Sequence, residues 1–199
     1  MESRWNHNVH YQRILLDAVP KNAEAVLDIG CGIGTLTRAL RHRANKVVGI
    51  DLDEASIALA RHPTDKEIEY IVGDFLSCSF ARQSFDAVLS VAMLHHVDAV
   101  AGLRRMRELV RPGGIVGVIG LARDDSLADY AVAAGGLITS WVYKAAKGYW
   151  EHPSPKVWPP PESWDSMRVI AARELPGCRF RRHLLWRYSL LWTKPSQPR

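Results

Sequence analysis

The run Val26-Leu27-Asp28-Ile29-Gly30-Cys31-Gly32-Ile33-Gly34, followed by Val47-Val48-Gly49-Ile50-Asp51, constrains the fold more than any other part of the chain. An apolar run ending in closely spaced glycines describes a buried parallel strand that feeds a tight turn into a helix. Glycine lets such a turn come close to a bound ligand, because no Cβ stands in the way. The second apolar run ends in a carboxylate about twenty residues on, where a nucleotide-type ligand places its ribose hydroxyls. Strand, glycine turn, helix and a second strand ending in Asp make half of a nucleotide site.

The glycine spacing narrows the ligand. Dinucleotide sites use G-x-G-x-x-G, whose third glycine lets helix and strand pack closely. Here the spacing is G-x-G-x-G, and the third position falls on Thr35 counted from Gly30, or on Thr37 counted from Gly32. A pyrophosphate also favours a helix N-terminus free of acid, whereas Asp28 stands just ahead of the glycines. That carboxylate suits a ligand with an amino group and no phosphate, such as S-adenosylmethionine.

The stretch Asp28-Ile29-Gly30-Cys31-Gly32-Ile33-Gly34-Thr35 resembles motif I of the class I S-adenosylmethionine-dependent methyltransferases. Further motifs follow in the family's order: Gly49-Ile50-Asp51, Gly73-Asp74-Phe75, Phe85 to Ser90, Leu94-His95-His96-Val97 and Leu109 to Gly114. They cover roughly residues 24 to 121 and are most similar to small-molecule enzymes of the ubiquinone and menaquinone methyltransferase type. The resemblance implies a Rossmann-like α/β fold: a mostly parallel seven-stranded sheet, helices on both faces and an antiparallel C-terminal strand. It implies S-adenosyl-L-methionine as cofactor and S-adenosyl-L-homocysteine as product.

Site roles follow from the same resemblance. Asp28 would help hold the methionine part, with the backbone of Gly30, Cys31, Gly32 and Gly34 close by. Asp51 would accept hydrogen bonds from the ribose hydroxyls, and Leu52 would pack on the adenine face. Asp51 could instead cap the next helix, but Asp53 is the better cap and would leave Asp51 free. Asp74 would accept from the adenine amino group beside Phe75, or act as a turn acid after Gly73. Ser90, Val91 and Met93 would line the sulfonium. Ahead of the first strand, Tyr11 or Trp5 could touch the methionine carboxylate or the substrate, or simply pack on the sheet edge.

Methyl transfer from a sulfonium needs an aligned acceptor, and for a hydroxyl acceptor a general base helps. His96 and His95 are the candidates, with His7 and His10 behind them. On a helix two adjacent residues cannot share a face, so at most one of the pair is expected in the site, and a structural or cofactor-packing role weighs at least as much as catalysis. The region after the fourth strand, Ser90 to Met93, lacks the Asn/Asp-Pro-Pro-aromatic motif of exocyclic-nitrogen methylation. No Pro-Cys nucleophile for cytosine C5 is present, and Ser90 is a poor magnesium ligand. No metal is expected.

The 199 residues suit one domain, with helices at 8–18, 35–43, 54–61, 98–110 and 162–174. Strands are expected at 24–29, 46–50, 68–72, 85–91, 115–120, 179–185 and 188–193. The organisation reads as an N-terminal cap helix (1–23), a cofactor-binding core (24–121), a substrate-cap insertion (122–161) and a C-terminal helix with a strand pair (162–199). The insertion is apolar and aromatic from Ser126 to Trp150, has a break or hinge at Gly135-Gly136, and continues into a proline-rich loop with Trp158. Such a lining suits a hydrophobic or aromatic small molecule; a membrane-surface helix, a dimer contact and plain core packing are the alternatives.

No leader or membrane-spanning run is visible, and three scattered cysteines suit a reducing cytoplasm. The net charge of +5 comes with arginine clusters at 38–43, 104–111 and 179–187. These fit solvated faces better than a nucleic-acid surface. The expected function is therefore methylation of a small, apolar or aromatic molecule. RNA or protein methylation and a nonmethylating nucleotide-binding protein stand behind it. Oligomeric state is left open.

Overall fold

The computed structural model describes residues 6–62, 65, 67–147 and 157–196. Among these residues the strands are β1 (Ala23–Ile29), β2 (Ala44–Asp51), β3 (Ile68–Val72), β4 (Phe85–Val91), β5 (Val110–Gly120), β6 (Arg179–His183) and β7 (Arg187–Thr193). The helices are α1 (His7–Ala18), α2 (Thr35–Leu40), α3 (Glu54–Ala60), α4 (Ala99–Leu109), α5 (Leu127–Lys147) and α6 (Trp164–Glu174). The sheet order is β3-β2-β1-β4-β5-β7-β6. β1 to β5 run parallel, and β7 lies antiparallel to both β5 and β6. The strand order reverses beside β1, so a crevice opens at the carboxyl ends of β1, β2 and β4.

Alternation along β1 divides the core in two. Leu27 and Ile29 pack with Val48, Ile50, Leu103 and Met106 on one face. Val26 packs with Val47, Leu89, Leu15 and Leu36 on the other. All of these are buried, and each such side chain contributes roughly 1.5–3 kcal/mol over its exposed state. Local chemistry starts the helices. Asn6 accepts from the N–H groups of Asn8 and Val9, Asp53 from Ser56, Asp98 from Ala101 and Ser163 from Ser166.

The elements depart from the sequence expectation at several points. α2 stops at Leu40 because Arg41 to Arg43 turn directly into β2. β5 begins at Val110, and Pro112-Gly113-Gly114 bends the strand; a Cβ at Gly114 would lie 2.7 Å from the Asp86 carbonyl. β6 ends at His183 because Leu185 and Trp186 take left-handed backbone angles, φ 59° and 55°. α5 runs unbroken through Gly135-Gly136, so no hinge forms there. Gly136 lies against the β6–β7 turn, where a Cβ would make only an ordinary contact with the Leu185 nitrogen at 3.5 Å. Residues 148–156, with most of the proline-rich loop, lie outside the described residues.

Candidate active site

A cavity of about 550 Å³ opens where the strand order reverses. Its first wall is the turn after β1. Gly30 and Gly32 have φ of 69° and 52°, which other residues adopt only with strain. A Cβ at Gly30 would also stand 2.5 Å from the Met93 Cβ. The Gly30 and Cys31 N–H groups donate to the Ile50 carbonyl at 2.8 and 3.1 Å, tying the turn to β2.

Asp51 ends β2 in the wall. Its Oδ2 accepts from the Gly32 N–H at 2.8 Å and its Oδ1 from the Asp53 N–H at 3.0 Å. Asp53, not Asp51, caps α3, but Asp51 is held by these two bonds rather than left free. A carboxylate has about four acceptor sites, so the two N–H groups orient Asp51 and leave capacity for a diol. Leu52 follows in the wall as an apolar platform, 69% exposed.

Asp28 also lines the cavity yet is 1% exposed. Burial pushes its carboxyl up to about 7, helped by the Asp51 charge and opposed by the Thr37 hydroxyl, which donates to Oδ2 at 2.7 Å. Burial likewise raises the Cys31 thiol, so it is neutral and no nucleophile.

His95 and His96 sit on a single 3-10 turn, Leu94–His96. Both line the cavity, their ring centroids 4.1 Å apart, against the expectation of one. The three-residue 3-10 turn is too short to present a single helix face, and both rings reach the wall. Burial lowers His95 to about 4, with the His96 and Arg187 charges adding. Burial also lowers His96, against the Asp51 carboxylate. Both rings are neutral near pH 7. Among the described residues His95 Nδ1 is buried without a hydrogen-bond partner.

Several expected site residues stand outside the wall. Asp74 accepts from the Leu76 N–H at 2.9 Å, the bond of a turn acid, and Phe75 is buried in the core. Ser90 is fully buried and Met93 packs on Gly30, which leaves Val91 and Ala92 to face the cavity. Gly34 sits under Tyr70, whose hydroxyl a Cβ would approach to 2.4 Å. The Tyr11 hydroxyl donates to the Leu184 carbonyl at 2.9 Å and its ring stacks on His183. Trp5 lies outside the described residues.

From α1 the wall takes Asn6, His7 and Asn8 instead. His7 Nε2 lies 3.0 Å from Ser140 Oγ of α5, and burial, with the Arg187 and Lys144 charges, lowers the ring to about 4. His10 packs edge-on to Tyr143. Sequence reasoning missed Trp186 and Arg187, which also line the cavity. Nothing in their local sequence signals this, because Arg187 is brought to Asn8 across 179 positions. No group of three or more His, Cys, Asp or Glu among the described residues could hold a metal ion.

The wall fits S-adenosyl-L-methionine. It offers a carboxylate with acceptor capacity for a ribose diol, an apolar platform beside it and a turn whose backbone is bare of Cβ atoms.

Known proteins agree with this geometry. A family model described as a methyltransferase domain matches residues 26–114. An uncharacterized methyltransferase of Mycobacterium tuberculosis is 34% identical over 203 residues, spanning 98% of this chain and 100% of that protein. The 2-phytyl-1,4-naphtoquinone methyltransferase of Thermosynechococcus vestitus is 33% identical over 66% of this chain and 60% of its own length. Phosphoethanolamine N-methyltransferase 2 of Haemonchus contortus, solved with S-adenosyl-L-methionine, shares the fold with a TM-score of 0.65 at 19% identity, covering 96% of this chain and 53% of that one. The chain belongs to the class I S-adenosyl-L-methionine-dependent methyltransferases, and S-adenosyl-L-methionine is its methyl donor.

Proposed function

We propose that the acceptor is a small, apolar or aromatic molecule bound in the same cavity. The observation that carries this reading is the apolar share of the cavity lining, which includes Val91, Ala92, Leu121, Trp158 and Trp186. Apolar walls with a few placed polar groups are the usual surroundings of a small organic ligand. The naphtoquinone-named relative points the same way. Several of the clustered arginines are engaged with carboxylates: Arg104 with Glu174, Arg111 with Glu24 and Asp86, and Arg182 with Asp124 and Asp129. Among the described residues no helix is long and apolar enough to cross a membrane.

The bound cofactor supplies a methyl group already activated on a sulfonium. The protein's residues then position and protect. Asp51, fixed by the Gly32 and Asp53 N–H groups, accepts from the ribose hydroxyls, and Leu52 packs under the adenine. The Gly30–Gly32 turn admits the methionine part, with Asp28 facing its amino group. Val91 and Ala92 keep water from the acceptor. His96, exposed at the mouth and neutral near pH 7, takes the proton of a hydroxyl acceptor, and His95 packs behind it.

The test is release of S-adenosyl-L-homocysteine with a panel of apolar phenols and hydroquinones, set against total RNA and a mixture of unfolded proteins. Turnover with members of the aromatic panel is expected. Turnover confined to the macromolecules would overturn the reading.

A further inference from the structure

Asn8 and Gln12 stand four residues apart on α1, so they share a face of the helix, and both line the cavity. The side-chain amide of Asn8 has a fixed orientation. Arg187 donates to Asn8 Oδ1 twice, from Nε at 3.0 Å and from a terminal nitrogen at 2.7 Å. A guanidinium only donates, so the amide atom it holds is the oxygen, and both lone pairs of that oxygen are taken. What Asn8 has left to offer is the two N–H groups on Nδ2. Among the described residues neither Asn8 Nδ2 nor the Gln12 amide has a hydrogen-bond partner, and neither is among the buried polar atoms that lack one. Both amides therefore reach open space, and the cavity is the open space that the two residues line together. Aromatic surface belongs to the same lining, where the His7 and Trp186 rings stand 5.9 Å apart.

We propose that Asn8 and Gln12 are specificity-determining residues of the acceptor site and donate from their side-chain amides to a carbonyl oxygen on the apolar acceptor. The inference rests on the cavity being a small-molecule acceptor site. Both residues lie outside the matched methyltransferase domain, residues 26–114, whose segments supply Asp28, Asp51, Leu52 and the glycine turn of the cofactor wall. The lining that α1, Trp158 and Trp186 add is this chain's own, which suits an acceptor better than the shared cofactor. A carbonyl oxygen has two lone pairs, one for each amide. The guanidinium on Asn8 Oδ1 polarises that amide and strengthens its N–H groups as donors. A ligand that covers Asn8 Nδ2 without offering an oxygen leaves the donor unpaired, which costs more than the bond itself contributes. The pair thus selects for an oxygen rather than tolerating one.

The test uses the protein saturated with S-adenosyl-L-homocysteine and two pairs of probes in which a carbonyl is the one polar group. One pair is acetophenone and α-methylstyrene, where CH2 replaces the oxygen; the other is 1-tetralone and tetralin. Calorimetry gives the affinity ratio of ketone to hydrocarbon in each pair. Asn8→Asp keeps the oxygen that Arg187 holds and exchanges the donor NH2 for a second oxygen, at almost the same shape. It should lower the ratio by about tenfold or more in at least one pair, while S-adenosyl-L-homocysteine affinity stays within about threefold. Because the ratio is compared between proteins, the greater hydrophobicity of the hydrocarbons cancels. Gln12→Glu removes the other donor and should lower the same ratio by about threefold or more; it carries the test if Asn8→Asp does not fold.

An unchanged ratio in both pairs for both variants overturns the proposal and leaves the acceptor site standing. A loss of S-adenosyl-L-homocysteine affinity in the variants, with the ratio unchanged, assigns the amides to the cofactor's carboxylate and overturns it too. Binding of none of the four probes to the wild-type protein removes the acceptor-site reading and this inference with it.

Discussion

Asp28→Asn gives a test whose sign and size both come from the site. Asp28 is buried beside the Asp51 carboxylate, and its carboxyl sits at about 7 rather than the ordinary 3.8. In the unfolded chain it ionises near 4, whereas in the folded protein it keeps its proton until about pH 7. The folded state therefore holds the extra proton between those values, and stability falls as pH rises through that window. Above it the folded protein carries a buried charge whose cost reaches roughly 4 kcal/mol, an upper bound set by the distance between 3.8 and about 7. Asparagine keeps the shape and can accept the 2.7 Å bond from Thr37, but it cannot ionise. The variant should thus gain on the wild type by about 2–3 kcal/mol between pH 5 and pH 8. Urea unfolding at both values reads this directly. Parallel pH profiles for the two proteins would refute the burial argument. If the charged carboxylate also faces the cofactor's amino group, the same substitution weakens S-adenosyl-L-methionine binding at pH 8.

Asp51→Ala removes an acceptor of two ribose bonds, so calorimetry should show S-adenosyl-L-homocysteine binding at least about tenfold weaker; unchanged affinity rejects the ribose assignment. His96→Ala should lower turnover by about a hundredfold on a hydroxyl acceptor with cofactor affinity held within about threefold. Equal losses in both would make His96 a packing residue. Because burial lowers His96 below its ordinary 6.5, wild-type turnover should hold as pH falls through 6.5 and decline only below it. Arg182 lies 4.1 Å over the Trp164 ring and bonds Asp124 at 3.0 Å as well as Asp129. Arg182→Met leaves both acids without that partner and should cost about 2–4 kcal/mol in chemical denaturation; a loss under 1 kcal/mol would show that the network does not anchor α5.

The sheet was legible because its signals are local. Val26 to Gly34 and Val47 to Asp51 carry the strand–turn–strand pattern within a few residues, and β1, β2 and the glycine turn appear where that pattern puts them. The cap residue Asp53 was equally local. The site wall was only half legible. Asp28, Asp51, Leu52, Val91 and the histidine pair line it, all from segments that end a parallel strand. Asp74 and Ser90 follow strands too, but one closes its own turn and the other is fully buried. The part of the wall supplied by Trp186 and Arg187 was not legible. Arg187 matters through Asn8 and through the left-handed turn before it, and neither the long-range pairing nor the φ of Trp186 leaves a trace in the sequence around them. Gly135-Gly136 read as a break because glycine weakens helices, yet α5 continues through both, with Gly136 against the β6–β7 turn.

The proposed reaction is methyl transfer to a small molecule. It is tested most directly by incubating the protein with methyl-labelled S-adenosyl-L-methionine and a cell extract, then partitioning the label. The cavity predicts label in the low-mass, organic-extractable fraction, and loss of that label in Asp51→Ala. Label in RNA or protein, equally dependent on Asp51, would contradict the small-acceptor site and move the search to the arginine-bearing surface.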